Sequence, residues 1–136
     1  MIFVFGGAFQ GKLDFAKEKF NIDDEQVLLV GEDFDVSKIT KDVRCVYGIS
    51  EWVHNLMESG ASVEDAIEEL IVAIKNLKEK KNSQVVLIAN DVSQGLVPID
   101  AKERAYREAN GRAMIRLAAA AKEVYRIFCG IGVQIK

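Results

Sequence analysis

Short unbroken apolar runs alternate along this chain with longer stretches in which apolar residues recur every three or four positions. Met1–Phe5 is apolar throughout and ends at Gly6-Gly7. Such a run fits a strand buried on both faces, as in a parallel sheet. Lys12–Phe20 follows, with Leu13, Ala16 and Phe20 at helical spacing. QVLLV (Gln26–Val30) predicts a second strand, GEDFDVSKITKD a polar connection, and RCVYGI (Arg44–Ile49) a third strand. EWVHNLMESG reads as a helix closed by Gly60. Ser62, with Asp65 three residues on, carries the signature of a helix start. From there Val63, Ala66, Ile67, Leu70, Ile71, Ile74 and Leu77 form one apolar stripe, and lysines gather at the end of the segment, where the helix dipole favours them. QVVLIA (Gln84–Ala89) predicts another buried strand and NDVSQGLVP a loop. A long Ala- and Arg-rich helix is expected from about Asp100 to Lys122. A strand over Glu123–Cys129 and a last short strand in GIGVQIK complete the order.

Alternation of strands and helices predicts an α/β fold. The expected architecture is a three-layer, P-loop-type, mostly parallel sheet with helices on both faces and a short, hairpin-like C-terminal strand. The 136 residues are read as one nucleotide-binding domain over positions 1–136.

Composition narrows the picture. A net charge of −3 gives no broad attraction to nucleic acid, which is not an expected partner. No apolar stretch approaches the ~20 residues of a membrane span, and no basic segment precedes the first apolar run as in a signal peptide. A cytoplasmic location is expected. Cys45 and Cys129 both sit in apolar runs without CxxC spacing, so both are expected to be buried free thiols.

The candidate chemistry lies at the first turn. Gly6, Gly11 and Lys12 fall on the spacing of G-x-x-x-x-G-K-[ST], between a buried strand and a helix. In that loop backbone amides cradle phosphate oxygens, the lysine reaches the β- and γ-phosphates, and the hydroxyl meets magnesium. Gly6, Gly7, Ala8, Phe9, Gln10, Gly11, Lys12 and Leu13 are therefore the candidate nucleotide-binding residues. Leu13 stands where the hydroxyl belongs and cannot bind a metal. Two plainer readings stay open: Gly6-Gly7 only turns the chain, or Phe9 fills the phosphate space.

The last third, NDVSQGLVPIDAKERAYREANGRAMIRLAAAAKEVYRIFCGIGVQIK, resembles the bifunctional adenosylcobinamide kinase / adenosylcobinamide-phosphate guanylyltransferase family of cobalamin biosynthesis. Asn90, Val92, Gly95, Val97, Pro98, Arg104, Tyr106, Arg107, Gly111, Arg112, Gly130, Ile131 and Lys136 are among the matching positions. YGISEWVHNL echoes a middle motif through Ser50, Trp52, Asn55 and Leu56. The resemblance implies GTP or ATP as nucleotide, cobinamide (a corrinoid) as phosphoryl acceptor, and a homo-oligomer, a trimer in this family. It also implies guanylyl transfer through a histidine. Here the segment that carries that histidine shrinks to GEDFDVSKITKD, and the chain's one histidine, His54, matches a different position. Guanylyl transfer is not expected. Tyr47 replaces the acid of the middle motif, so Leu13 and Tyr47 together weaken a magnesium site.

Asp91, at the end of a strand, is the candidate replacement carboxylate and, with Lys12, the candidate catalytic residue; a turn-forming role competes. Arg104, Arg107 and Arg112 are candidates for reaching a phosphate or a neighbouring subunit, against a solvated face of Glu–Arg pairs. The competing functional reading is a non-catalytic relative that binds nucleotide or corrinoid, or serves as an assembly subunit.

Overall fold

The computed structural model describes residues 1–80 and 84–136, residues 78–80 by backbone alone. The lysine cluster expected at the end of the long amphipathic helix, Lys78, Lys80 and Lys81, lies outside the described side chains.

Among the described residues six strands and four α-helices follow in order: β1 (Ile2–Gly6), α1 (Lys12–Phe20), β2 (Val27–Leu29), β3 (Cys45–Tyr47), α2 (Ile49–Ser59), α3 (Val63–Lys80), β4 (Val86–Asn90), α4 (Ala101–Ala120), β5 (Glu123–Phe128) and β6 (Ile131–Gln134). The strands form one sheet in the order β2-β3-β4-β1-β5-β6. All neighbours are parallel except the β5–β6 hairpin at one edge. This is the expected α/β architecture.

The apolar runs explain the centre of the sheet. β1 pairs with β4 on one side and β5 on the other. Ile2 and Val4 join one core, with Cys45, Val86, Ile88, Tyr125, Ile127 and Ala16 of α1. Phe3 joins the opposite core, with Val46, Leu87, Val124 and the buried faces of α2, α3 and α4. A strand with helices over both faces has no polar side, so its sequence does not alternate. The predicted α3 stripe is the one that packs: Ile67, Leu70, Ile71 and Ile74 are all but fully buried. At its start the Ser62 hydroxyl accepts the Asp65 amide at 3.2 Å.

Three expectations change. The third strand ends at Tyr47, because Gly48 turns the chain at φ 107° and Ile49 enters α2 as a buried helix residue. The polar connection is not merely solvated: Phe34, Val36 and Ile39 are buried in the core, and Phe34 meets the Trp52 ring edge-on at 5.1 Å. Cys45 is a buried free thiol as expected, but Cys129 is exposed. Cys129 ends the apolar run at the β5–β6 turn, with φ 50°, where the side chain leaves the sheet.

The crossover from β1 runs through α1 over one face toward β2. The crossover from β4 runs through α4 over the other face toward β5. Adjacent strands whose crossovers part in this way open a crevice at their carboxyl ends, where open α/β sheets bind ligands.

Candidate functional site

That crevice begins at Gly6, paired with Asn90 on one side and Ile127 on the other. A Cβ at Gly6 would collide with the Ile127 carbonyl oxygen, so glycine is dictated by close backbone approach. The chain then turns through two left-handed residues, Phe9 (φ 57°) and Gly11 (φ 82°), before α1 starts at Lys12. The turn is fastened to the distant hairpin. The Gln10 carbonyl accepts the Gly130 amide at 2.8 Å, and Gln10 Oε1 accepts the Cys129 amide at 2.6 Å. Phe9 is fully exposed and does not fill the turn.

Lys12 is only 3% exposed, and its ammonium donates to the Gly7 carbonyl at 2.6 Å. Burial lowers its pKa from the ordinary lysine value, while the negative charge of Glu51 pulls the other way. Beside it opens a cleft of about 370 Å³, lined by Ala8 to Asp14 of the turn and by Tyr47, Glu51 and Asn90 across from it. Ala8, Phe9, Gln10, Gly11, Lys12 and Leu13 of the sequence-derived set thus share one cavity, and Gly6 and Gly7 lead into it.

The far wall is a hydrogen-bonded network that sequence reading missed. The Ser50 hydroxyl donates to the Asn90 carbonyl and accepts the Asn90 amide, both at 2.9 Å. Asn110 Nδ2 donates to the same carbonyl at 3.1 Å, and the Tyr106 hydroxyl to the Ser50 carbonyl at 3.1 Å. Burial, aided by Glu51 and Glu103, pushes the Tyr106 phenol up to about 12. Asn90 Nδ2 in turn donates to Glu51 Oε1 at 2.9 Å. The available signal was an acid, Glu51, in the first helical turn after a strand.

The other singled-out residues lie elsewhere. Asp91 follows β4, but its carboxylate accepts from the Ser93 amide (3.0 Å), the Ser93 hydroxyl (2.5 Å) and Gln94 Nε2 (3.3 Å). Burial alone would raise its pKa; these bonds outweigh it and leave it lowered. This is turn-forming geometry, and Asp91 does not line the cleft. Arg104 donates to the Pro98 and Ile99 carbonyls and Arg107 to those of Leu96 and Gln94. Arg112 pairs with Glu64 and Glu108, and Arg116 with Glu68. None of these arginines lines the glycine-turn cleft. His54 stands edge-on to Tyr106, with ring centroids 5.1 Å apart, at a separate cleft of about 300 Å³.

Among the described residues no group of three or more His, Cys, Asp or Glu side chains is placed to hold a metal. Magnesium binds through one or two carboxylates, phosphates and waters, so the carboxylates Glu51 and Asp14 at the cleft are a compatible donor set. No helix among the described residues is long and apolar enough to cross a membrane.

Fold and cleft together define a class: an α/β protein with a glycine–lysine turn at the carboxyl edge of a mostly parallel sheet. The chain belongs to the cobinamide kinase / cobinamide phosphate guanyltransferase family, whose model matches residues 21–135. Two curated relatives are the bifunctional adenosylcobalamin biosynthesis proteins CobU of Salmonella typhimurium and Escherichia coli. Each is 41% identical over 86 residues, covering 63% of this chain and 44% of the relative. The match spans less than half the length of these relatives, and the family match begins beyond the glycine turn.

Proposed function

We propose that this chain binds a nucleoside triphosphate, GTP or ATP, at Gly6–Leu13 and transfers phosphate to a cobinamide. The observation that carries the binding half is Lys12: a buried lysine whose ammonium sits on the Gly7 carbonyl beside an open cleft. Phosphate oxygens would replace that carbonyl as the acceptor. The amides of the turn and the N-terminus of α1 add donors and a favourable field. The acceptor is proposed from the family alone.

In this reading Lys12 holds the outer phosphates and neutralises charge that grows on the bridging oxygen. Asn90 and Glu51 border the opposite side of the cleft. Magnesium, when bound, would supply charge neutralisation of the phosphates; Leu13 offers it no oxygen. Asp91, with its carboxylate engaged in its own turn, supports this chemistry less well than Glu51 does. No guanylyl-transfer step is proposed, because His54 lies at a separate cleft. Leu13 and Tyr47 favour a second reading, a relative that keeps the phosphate cradle and no longer turns over. A trimer remains a proposal by resemblance, checked by light scattering.

Calorimetric titration with GTP and ATP tests the shared premise. Removing a charged hydrogen-bond donor costs about 1.5–3 kcal/mol, so Lys12→Ala should weaken binding about 10- to 100-fold. Unchanged affinity in Lys12→Ala, or no binding to the wild type, overturns the proposal. A kinase assay with cobinamide then separates enzyme from non-catalytic binder.

A further inference from the structure

Two carboxylates line the cleft, Asp14 and Glu51, and they are not equivalent. Asp14 is exposed on the first turn of α1 and no hydrogen bond restrains its carboxylate among those described. Glu51 is fixed. Its Oε1 accepts Asn90 Nδ2 at 2.9 Å, and Asn90 is itself held at both backbone groups by Ser50. Glu51 is also the carboxylate whose field acts on Lys12. A fixed negative charge across from the phosphate-facing lysine repels a polyphosphate unless a cation stands between them. Leu13 and Tyr47, on either side of the cleft, offer no carboxylate oxygen to such a cation. Tyr47 ends β3, and Glu51 lies four residues on, past the Gly48 turn and on the first turn of α2.

We infer that Glu51 is the group that makes polyphosphate binding in this cleft depend on a divalent cation, its carboxylate meeting the cation directly or through water. The inference rests on the nucleotide-binding reading above and names the residue that sets its metal dependence. One carboxylate suffices, because magnesium keeps several waters and takes further oxygens from the phosphates.

Glu51→Gln is the diagnostic variant. Glutamine keeps an Oε1 that accepts from Asn90, so the wall of the cleft is preserved and only the charge is lost. An unchanged urea midpoint checks this. GTP and ATP are titrated into wild type, Glu51→Gln and Lys12→Ala, each with magnesium and with EDTA. In the wild type, magnesium should raise affinity about tenfold or more, and in Glu51→Gln that gain should shrink to under about threefold. The variant should also bind more tightly than wild type in EDTA, because the repulsion is gone. A purely structural role for Glu51 would move neither ratio.

Equal magnesium gains in wild type and Glu51→Gln overturn the assignment of Glu51 while leaving the glycine-turn reading standing. Weaker binding of Glu51→Gln in EDTA also overturns it, since the sign is then wrong. Absence of nucleotide binding by the wild type, or indifference to Lys12→Ala, removes the glycine-turn reading and this inference with it.

Discussion

Lys12 carries a positive charge where burial disfavours one. Its native pKa is lowered, and the direction has a consequence for stability. Below that lowered pKa the folded chain bears the full cost of a buried ammonium. Between it and the ordinary 10.5, the unfolded chain holds the proton more often, so stability rises with pH across that window. Lys12→Met should therefore leave the urea midpoint at neutral pH unchanged or raise it, while nucleotide binding weakens about 10- to 100-fold, as in Lys12→Ala. A marked drop in the midpoint would mean that the lysine is structural. Gly6 is the opposite case. Gly6→Ala forces a methyl group against the Ile127 carbonyl and should destabilise by about 1–3 kcal/mol, read by urea denaturation. The sequence announced both residues through glycine–lysine spacing. It did not announce Glu51, because a lone acid in a first helical turn looks like any residue that complements the helix dipole. Only the register that brings Asn90 opposite Gly6 makes it part of a site.

At the scale of elements, two kinds of polar contact hold the helices, and they differ in weight. Ser50 joins α2 to the end of β4 through a part-buried hydroxyl. Ser50→Ala leaves those backbone groups short of partners and should cost about 1–3 kcal/mol, with weaker nucleotide binding because Asn90 loosens. Arg112 and Arg116 join α4 to α3 through exposed carboxylates. Arg116→Ala should cost less than about 1 kcal/mol, and its effect should shrink in high salt. Chemical denaturation at two ionic strengths separates the cases. The elements themselves were largely legible, since β1 and β4 are continuous apolar runs and α3 is a continuous stripe. Their ends were not. Ile49 is as apolar as a strand residue, and only Gly48 in a left-handed conformation reassigns it to a helix. Phe34, Val36 and Ile39 were hidden among acids and lysines, because a short irregular segment has no periodicity to expose the residues it buries.

For the whole molecule, the two thiols report on different things. Burial pushes Cys45 up to about 12, whereas Cys129 is exposed at a hairpin turn. In the native protein a thiol reagent should label Cys129 and spare Cys45; in urea both should react. Protection of Cys129 would indicate a covered hairpin, and a trimer is one assembly that would cover it. Apolar side chains do stand free there, with Phe128, Ile131 and Val133 all exposed.

The sheet order sets a timetable for synthesis. Of the six described strands, the one made first is destined for the interior of the sheet, and its partners, β4 and β5, are made far later. Until β5 arrives, β1 offers Ile2–Phe5 as a bare, sticky margin of the kind that invites pairing between chains. The glycine turn waits longer still, since Gln10 has nothing to grip before Cys129 and Gly130 emerge. The pocket built on the β1–α1 turn is completed only once the β5–β6 turn has been made.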